Sequence, residues 1–216
     1  MPNPAPGVLM HQSLANIHEP DLVARLLRDP HWRSRIIGLH GIPSDVLALP
    51  TVTLDGFPGA PEGDIDALLI PPNTPSEAIG VQIKRIKVQD DTFRTEAPNK
   101  LHELAKGTRQ ANLLAQLGFC QVFYFVFIVV DSRLQNGGRR SYEGLTSNLR
   151  AKLDAAVSVD GLDTRVGLAQ FEFVQPLDDE PLGAGTFRGR LIRRAVPAIQ
   201  PTHVTEWIME VVRRHA

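Results

Sequence analysis

Four side chains set the chemistry open to this chain. Asp64 and Asp66 lie in Gly63-Asp64-Ile65-Asp66-Ala67-Leu68-Leu69-Ile70, and Gln82 and Lys84 lie in Val81-Gln82-Ile83-Lys84-Arg85. Between these apolar runs, Pro71-Pro72-Asn73-Thr74-Pro75-Ser76 stops any strand. The pattern predicts an antiparallel hairpin with a long turn. Residues two apart in a strand share a face, so Asp64 goes with Asp66 and Gln82 with Lys84. A hairpin centred on Thr74 sets Asp66 opposite Gln82 and Asp64 opposite Lys84, with Cβ atoms about 5 Å apart. Two carboxylates, an amide and an ammonium on one patch suit a divalent cation, a water and a phosphate.

Phosphodiester hydrolysis needs an in-line water and stabilisation of charge on the phosphate and the leaving oxygen. Mg2+ (or Mn2+) takes hard oxygen ligands and keeps several waters. Asp66, facing Gln82, is the candidate central ligand; Asp64 would share that ion or bind a second. Gln82 offers a carbonyl oxygen without charge. Lys84 would position the water or neutralise the phosphate, and two nearby carboxylates favour action through its charge. Glu19, three and four residues before Leu22 and Val23, leans toward a buried helix face and is a further candidate ligand; Glu62 is a weaker one. The plainer reading of the same residues is a cross-strand ion pair between Asp66 and Lys84, with Gln82 a surface polar group.

The elements that must position them are legible from periodicity and punctuation. Residues 1–18 read as a tail and a short helix over Leu9–Ile17, and 19–216 as a single domain. Pro20 opens a helix over Asp21–Arg28, stopped by Asp29-Pro30. Arg35–Leu39 and Asp45–Leu54 are strand candidates. Residues 98–117 repeat apolar side chains three or four apart, between Pro98 and Gly118, and predict the clearest helix. Phe119–Val130 is apolar almost throughout and predicts a central strand covered on both faces. A helix over Leu145–Val157, strands over Val166–Val174 and Phe187–Ile192, and a helix over Thr202–Arg214 follow. Hairpin, helix, strand, helix, strand implies an α/β fold: a mixed sheet flanked by helices.

The 216 residues carry a net charge of −1, so any nucleic-acid surface must be local. Arg85 adjoins the hairpin site; Lys106, Arg109 and Gln110 share the polar face of the following helix; Arg188 and Arg190 lie in an arginine-rich stretch. All six are candidate nucleic-acid contacts, against the reading that they form an ordinary solvated surface. Arg188 and Arg190 have a competing role in structural ion pairs. The single cysteine, Cys120, excludes an internal disulfide and fits a reducing compartment. Phe123–Val130 is too short to span a bilayer, so a cytoplasmic protein with no membrane partner is expected. Seven histidines show no metal-ligand spacing, and neither a P-loop nor G-x-S-x-G occurs.

The acidic strand, the turn, the strand ending in Q-x-K, the amphipathic helix and the apolar strand together resemble the PD-(D/E)XK nuclease superfamily. Gln82-Ile83-Lys84-Arg85 is most similar to the Mrr-type restriction endonucleases. The resemblance covers about residues 60–131. It implies a restriction-endonuclease-like fold, Mg2+- or Mn2+-dependent hydrolysis of DNA (with RNA still open), and a setting in bacterial defence or DNA processing. It also implies action as a homodimer or as a partner subunit of a defence system. The alternatives are a catalytically inactive nuclease-like module that binds nucleic acid or a protein partner, and an unrelated α/β interaction protein.

Overall fold

The computed structural model describes residues 17–60, 63–88, 101–131, 144–157, 159–174 and 187–215. The expected Leu9–Ile17 helix, Glu62 and Pro98 lie wholly or largely outside them. Helix α1 is Glu19–Arg28 and buries Leu22, Val23, Leu26 and Leu27. The Asp29-Pro30 step that ends α1 also begins a second helix, α2, over Pro30–Gly38. The Asp29 carboxylate accepts the backbone N–H groups of His31 and Trp32 at 2.9 and 3.2 Å, and Pro30 has no N–H to satisfy there. Arg35–Leu39 is therefore not a strand. Its apolar pair Ile36-Ile37 joins Trp32 on the buried face of α2, a spacing too short to announce itself as helical.

Strands β1 (Leu47–Thr53), β2 (Asp64–Ile70), β3 (Ile79–Val88), β4 (Gln121–Val130), β5 (Gly167–Val174) and β6 (Phe187–Arg193) form one sheet in that spatial order. β3, β4 and β5 run parallel, and the other neighbours are antiparallel. Helix α3 (Leu101–Leu117) lies between β3 and β4 in the chain, and helix α4 (Ser147–Val157) between β4 and β5. Helix α5 (Thr202–His215) follows β6. The molecule is thus α/β, a six-stranded mixed sheet flanked by helices.

The hairpin register is the one centred on Thr74: Ala67 pairs with Val81, Leu68 with Gly80 and Leu69 with Ile79. β4 is buried from Val122 to Val130 and separates two cores. On one face, α1 and α2 cover Phe123, Phe125, Phe127, Phe171 and Phe173. On the other, α3, α4 and α5 cover Tyr124, Val126, Ile128 and Leu168. Gly118, at φ +94°, ends α3 where a non-glycine residue would be strained. A Cβ there would also meet Pro201 at 2.8 Å.

Candidate functional site

The β2–β3 ladder ends at Ala67 and Val81, while β3 continues to Val88 paired with β4 on its other side. Beyond that fork, the amides of β3 that face β2 need other partners. Two carboxylates supply them. The Ile83 N–H donates to Asp66 Oδ2 at 2.6 Å, and the Arg85 N–H donates to Glu19 Oε2 at 2.6 Å. Asp66 comes from β2 and Glu19 from the first turn of α1. The Gln82 side-chain amide also donates to Asp66 Oδ2. Lys84 Nζ lies 3.5 Å from Glu19 Oε1 and 3.8 Å from Asp66 Oδ2.

Asp66, Gln82, Lys84 and Glu19 are therefore brought together. Asp64 is not opposite Lys84: the ladder has ended before that step, and Asp64 pairs instead with Thr53 on β1, exposed. It acts on Asp66 through its charge alone. Glu19 takes the place beside the lysine. The fork also accounts for two polar residues on the apolar face of β3. Gln82 and Lys84 are buried alongside Ile86 and Val88, and their polar ends are met by the two acids.

Helix α3 closes the site from the face of the sheet that carries Lys84 and Tyr124. A Cβ on Gly107 would lie 2.7 Å from Lys84 Cγ and 2.5 Å from Tyr124 Oη, so only glycine lets the helix approach this closely. Tyr124 stands on β4 beside Gln82 and donates from its hydroxyl to the Leu104 carbonyl at 2.9 Å. Burial, then the charges of Glu19 and Asp66, raise its pKa above the usual tyrosine value. Nothing in an uninterrupted apolar run marks it. A polar cavity of about 310 Å3 opens beside these groups, lined by His18, Glu19, Pro20, Lys84, Arg85 and Glu103. Glu103 carries no sequence signal that sets it apart from the other polar residues of α3.

The candidate nucleic-acid residues divide. Arg85 lines the cavity, with Nη1 donating to the Ile17 carbonyl at 2.5 Å. Lys106 and Arg109 are exposed on α3, and Gln110 is half-buried with an Oε1 that lacks a protein partner among the described residues. Arg188 and Arg190 are on β6, three strands from β3, or roughly 14 Å across the sheet. Arg190 is ion-paired with Asp154 at 3.2 Å and lies 3.5 Å from Gln170 Oε1. The site does not include either arginine.

Burial pushes the Asp66 carboxyl up to about 6, aided by the charges of Glu19 and Asp64 and opposed by Lys84 and the Ile83 amide. Among the described residues no group of three or more His, Cys, Asp or Glu side chains is arranged to hold a metal ion. Two carboxylates converge there, Asp66 and Glu19 about Lys84 Nζ, and the Gln82 amide turns its nitrogen to Asp66. Gln82 Oε1 is buried and has no protein partner among the described residues, an oxygen that a hard cation would satisfy. Asp66, Glu19 and Gln82 thus fit Mg2+, which binds through one or two carboxylates and keeps its remaining waters. No protein-family model matches the chain, and no curated protein does.

Proposed function

We propose that the chain is a Mg2+- or Mn2+-dependent nuclease of restriction-endonuclease-like fold that hydrolyses DNA phosphodiester bonds in bacterial defence or DNA processing. The observation that carries this reading is the ammonium of Lys84 held between acids from two different elements, 3.8 Å from Asp66 and 3.5 Å from Glu19, beside the unpartnered oxygen of Gln82. An acid-bearing strand, a Q-x-K strand, a crossover helix and a parallel apolar strand are also in line with that fold.

Asp66, Glu19 and Gln82 Oε1 would hold the ion. When bound, it stabilises charge on the phosphate and lowers the pKa of a coordinated water. The rest of the work falls to the chain. Lys84, clamped against Gly107, directs a positive charge at a phosphate oxygen without reorganising. Asp66 and Glu19 fix that ammonium while β3 holds both acids through its amides. Arg85, in the cavity wall, offers a second positive charge for the substrate backbone, and Lys106 and Arg109 extend it along α3.

Plasmid cleavage with Mg2+, with and without EDTA, tests the reading. The wild type is expected to cut only with the metal. Asp66→Ala and Lys84→Ala are each expected to lose more than about tenfold in rate while still binding DNA. No metal-dependent cut in duplex DNA, single-stranded DNA or RNA would overturn it. A second reading, an inactive binding module, draws on one observation: the acids already accept backbone amides and a lysine, and Gln82 brings no charge.

A further inference from the structure

Thr51 is a β-branched residue in the middle of β1 with φ +53°, a region such side chains strongly disfavour. Among the described non-glycine residues only Asn73 shares a positive φ, and it sits in the hairpin turn, where asparagine adopts that shape readily. The Thr51 side chain is exposed, so core packing of that side chain does not hold the conformation. Pro50 pairs with Ala67 and Val52 with Ile65, but the step between, Thr51 with Asp66, is missing from the ladder. Alternation slips at the same place. Ile65 packs in the core under α3–α5, whereas Ala67, two residues on, packs in the core under α1 and α2. A regular strand would send both to one face.

We propose that Thr51 is a positioning residue for Asp66: its left-handed backbone interrupts the β1–β2 ladder opposite Asp66 and frees that carboxylate to reach β3. The strand rotates at Asp66, and its side chain crosses the fork to the Ile83 amide and to Gln82. Thr51 touches neither substrate nor metal in this role. The inference rests on the proposed nuclease reading only for its kinetic arm.

The test is a series at one position, read first by hydrogen exchange of the Ile83 amide in the full chain without metal, with the Phe127 amide of β4 as reference. Thr51→Gly and Thr51→Asn accept a left-handed backbone and should hold Ile83 exchange within about twofold of wild type. Thr51→Pro, with φ locked at about −65°, excludes it and should speed exchange at Ile83 at least about tenfold with Phe127 unchanged. Thr51→Ile is β-branched like threonine and should exchange Ile83 faster than the Gly and Asn variants; if Thr51→Pro does not fold, that contrast decides. In cleavage assays Thr51→Pro should lower kcat with KM unchanged, and Thr51→Asn should match wild type. Equal Ile83 exchange in the Ile and Gly variants would overturn the proposal. A wild type that cuts nothing while Ile83 follows the series would sink the nuclease reading and leave the positioning role standing.

Discussion

Asp66 is held where its charge is unfavourable. Burial raises its carboxyl from 3.8 to about 6, so ionising it in the fold rather than in the unfolded chain costs about 3 kcal/mol. A carboxyl raised on folding contributes stability that is complete below the unfolded pKa and lost as pH rises through the folded one. Stability from this group therefore falls between pH 4 and 6 and stays low above that. Asp66→Asn should be more stable than wild type at pH 8, by about 1 kcal/mol or more, in urea unfolding with an unchanged m-value, and should lose cleavage. A variant less stable at pH 8 would mean that its bonds to Ile83 and Gln82 outweigh the burial of charge. Gln82→Glu tests the neighbouring donor. A carboxylate there adds negative charge to the metal cradle, so metal-dependent cleavage should persist and its Mg2+ midpoint should fall several-fold, roughly. An unchanged midpoint would put Gln82 outside the coordination shell.

At the scale of elements, the parts set by local pattern were readable and the parts set by where pairing stops were not. The turn residues around Thr74 determine the hairpin register, and the apolar period of α3 and the unbroken run of β4 determine those elements. Nothing in those patterns says that β2 and β3 part after Val81, because a fork appears only when two acids from different elements replace a strand's carbonyls. For that reason Asp64 was expected beside Lys84 and Glu19 only leaned toward the interior. Helix α2 was missed because its signal is a cap, Asp29, that also reads as a stop. Gly107 shows the same limit: mid-helix, glycine looks like a defect. By propensity alone, Gly107→Ala would stabilise α3 by about 1 kcal/mol. Instead the added Cβ would meet Tyr124 Oη at 2.5 Å and Lys84 Cγ at 2.7 Å. The variant should lower Tm and, through displacement of Lys84, reduce cleavage more than DNA binding. A raised Tm would show that α3 does not press on the lysine.

Across the whole molecule, two half-buried titrating groups, Asp66 and His40, set stability against pH in opposite senses. His40 stacks on Phe125 with ring centroids 4.9 Å apart and lies 4.4 Å from Phe123. Neither ring nitrogen has a protein partner among the described residues. Burial, reinforced by the charge of Arg194, lowers it from 6.5 to about 4. A histidine depressed on folding contributes stability present above pH 6.5 and lost as pH falls through the folded value. Between about pH 4 and 6 its contribution rises with pH while that of Asp66 falls, each by about 1.4 kcal/mol per pH unit, so the two cancel. Asp163, lowered by its bonds to Arg165, acts mainly at lower pH. Removing one partner should unmask the other. In His40→Leu, unfolding free energy from urea melts should fall as pH rises from 4 to 6; in Asp66→Asn it should rise over the same range; in the double variant the slope should return to that of wild type. The His40→Leu protein should also gain stability at pH 5 by removing two unsatisfied nitrogens. Parallel slopes in the two single variants would show that at least one group does not titrate as its burial dictates. A flat Asp66→Asn profile would identify His40 as that group, and would mean that water reaches the ring between Phe123 and Phe125.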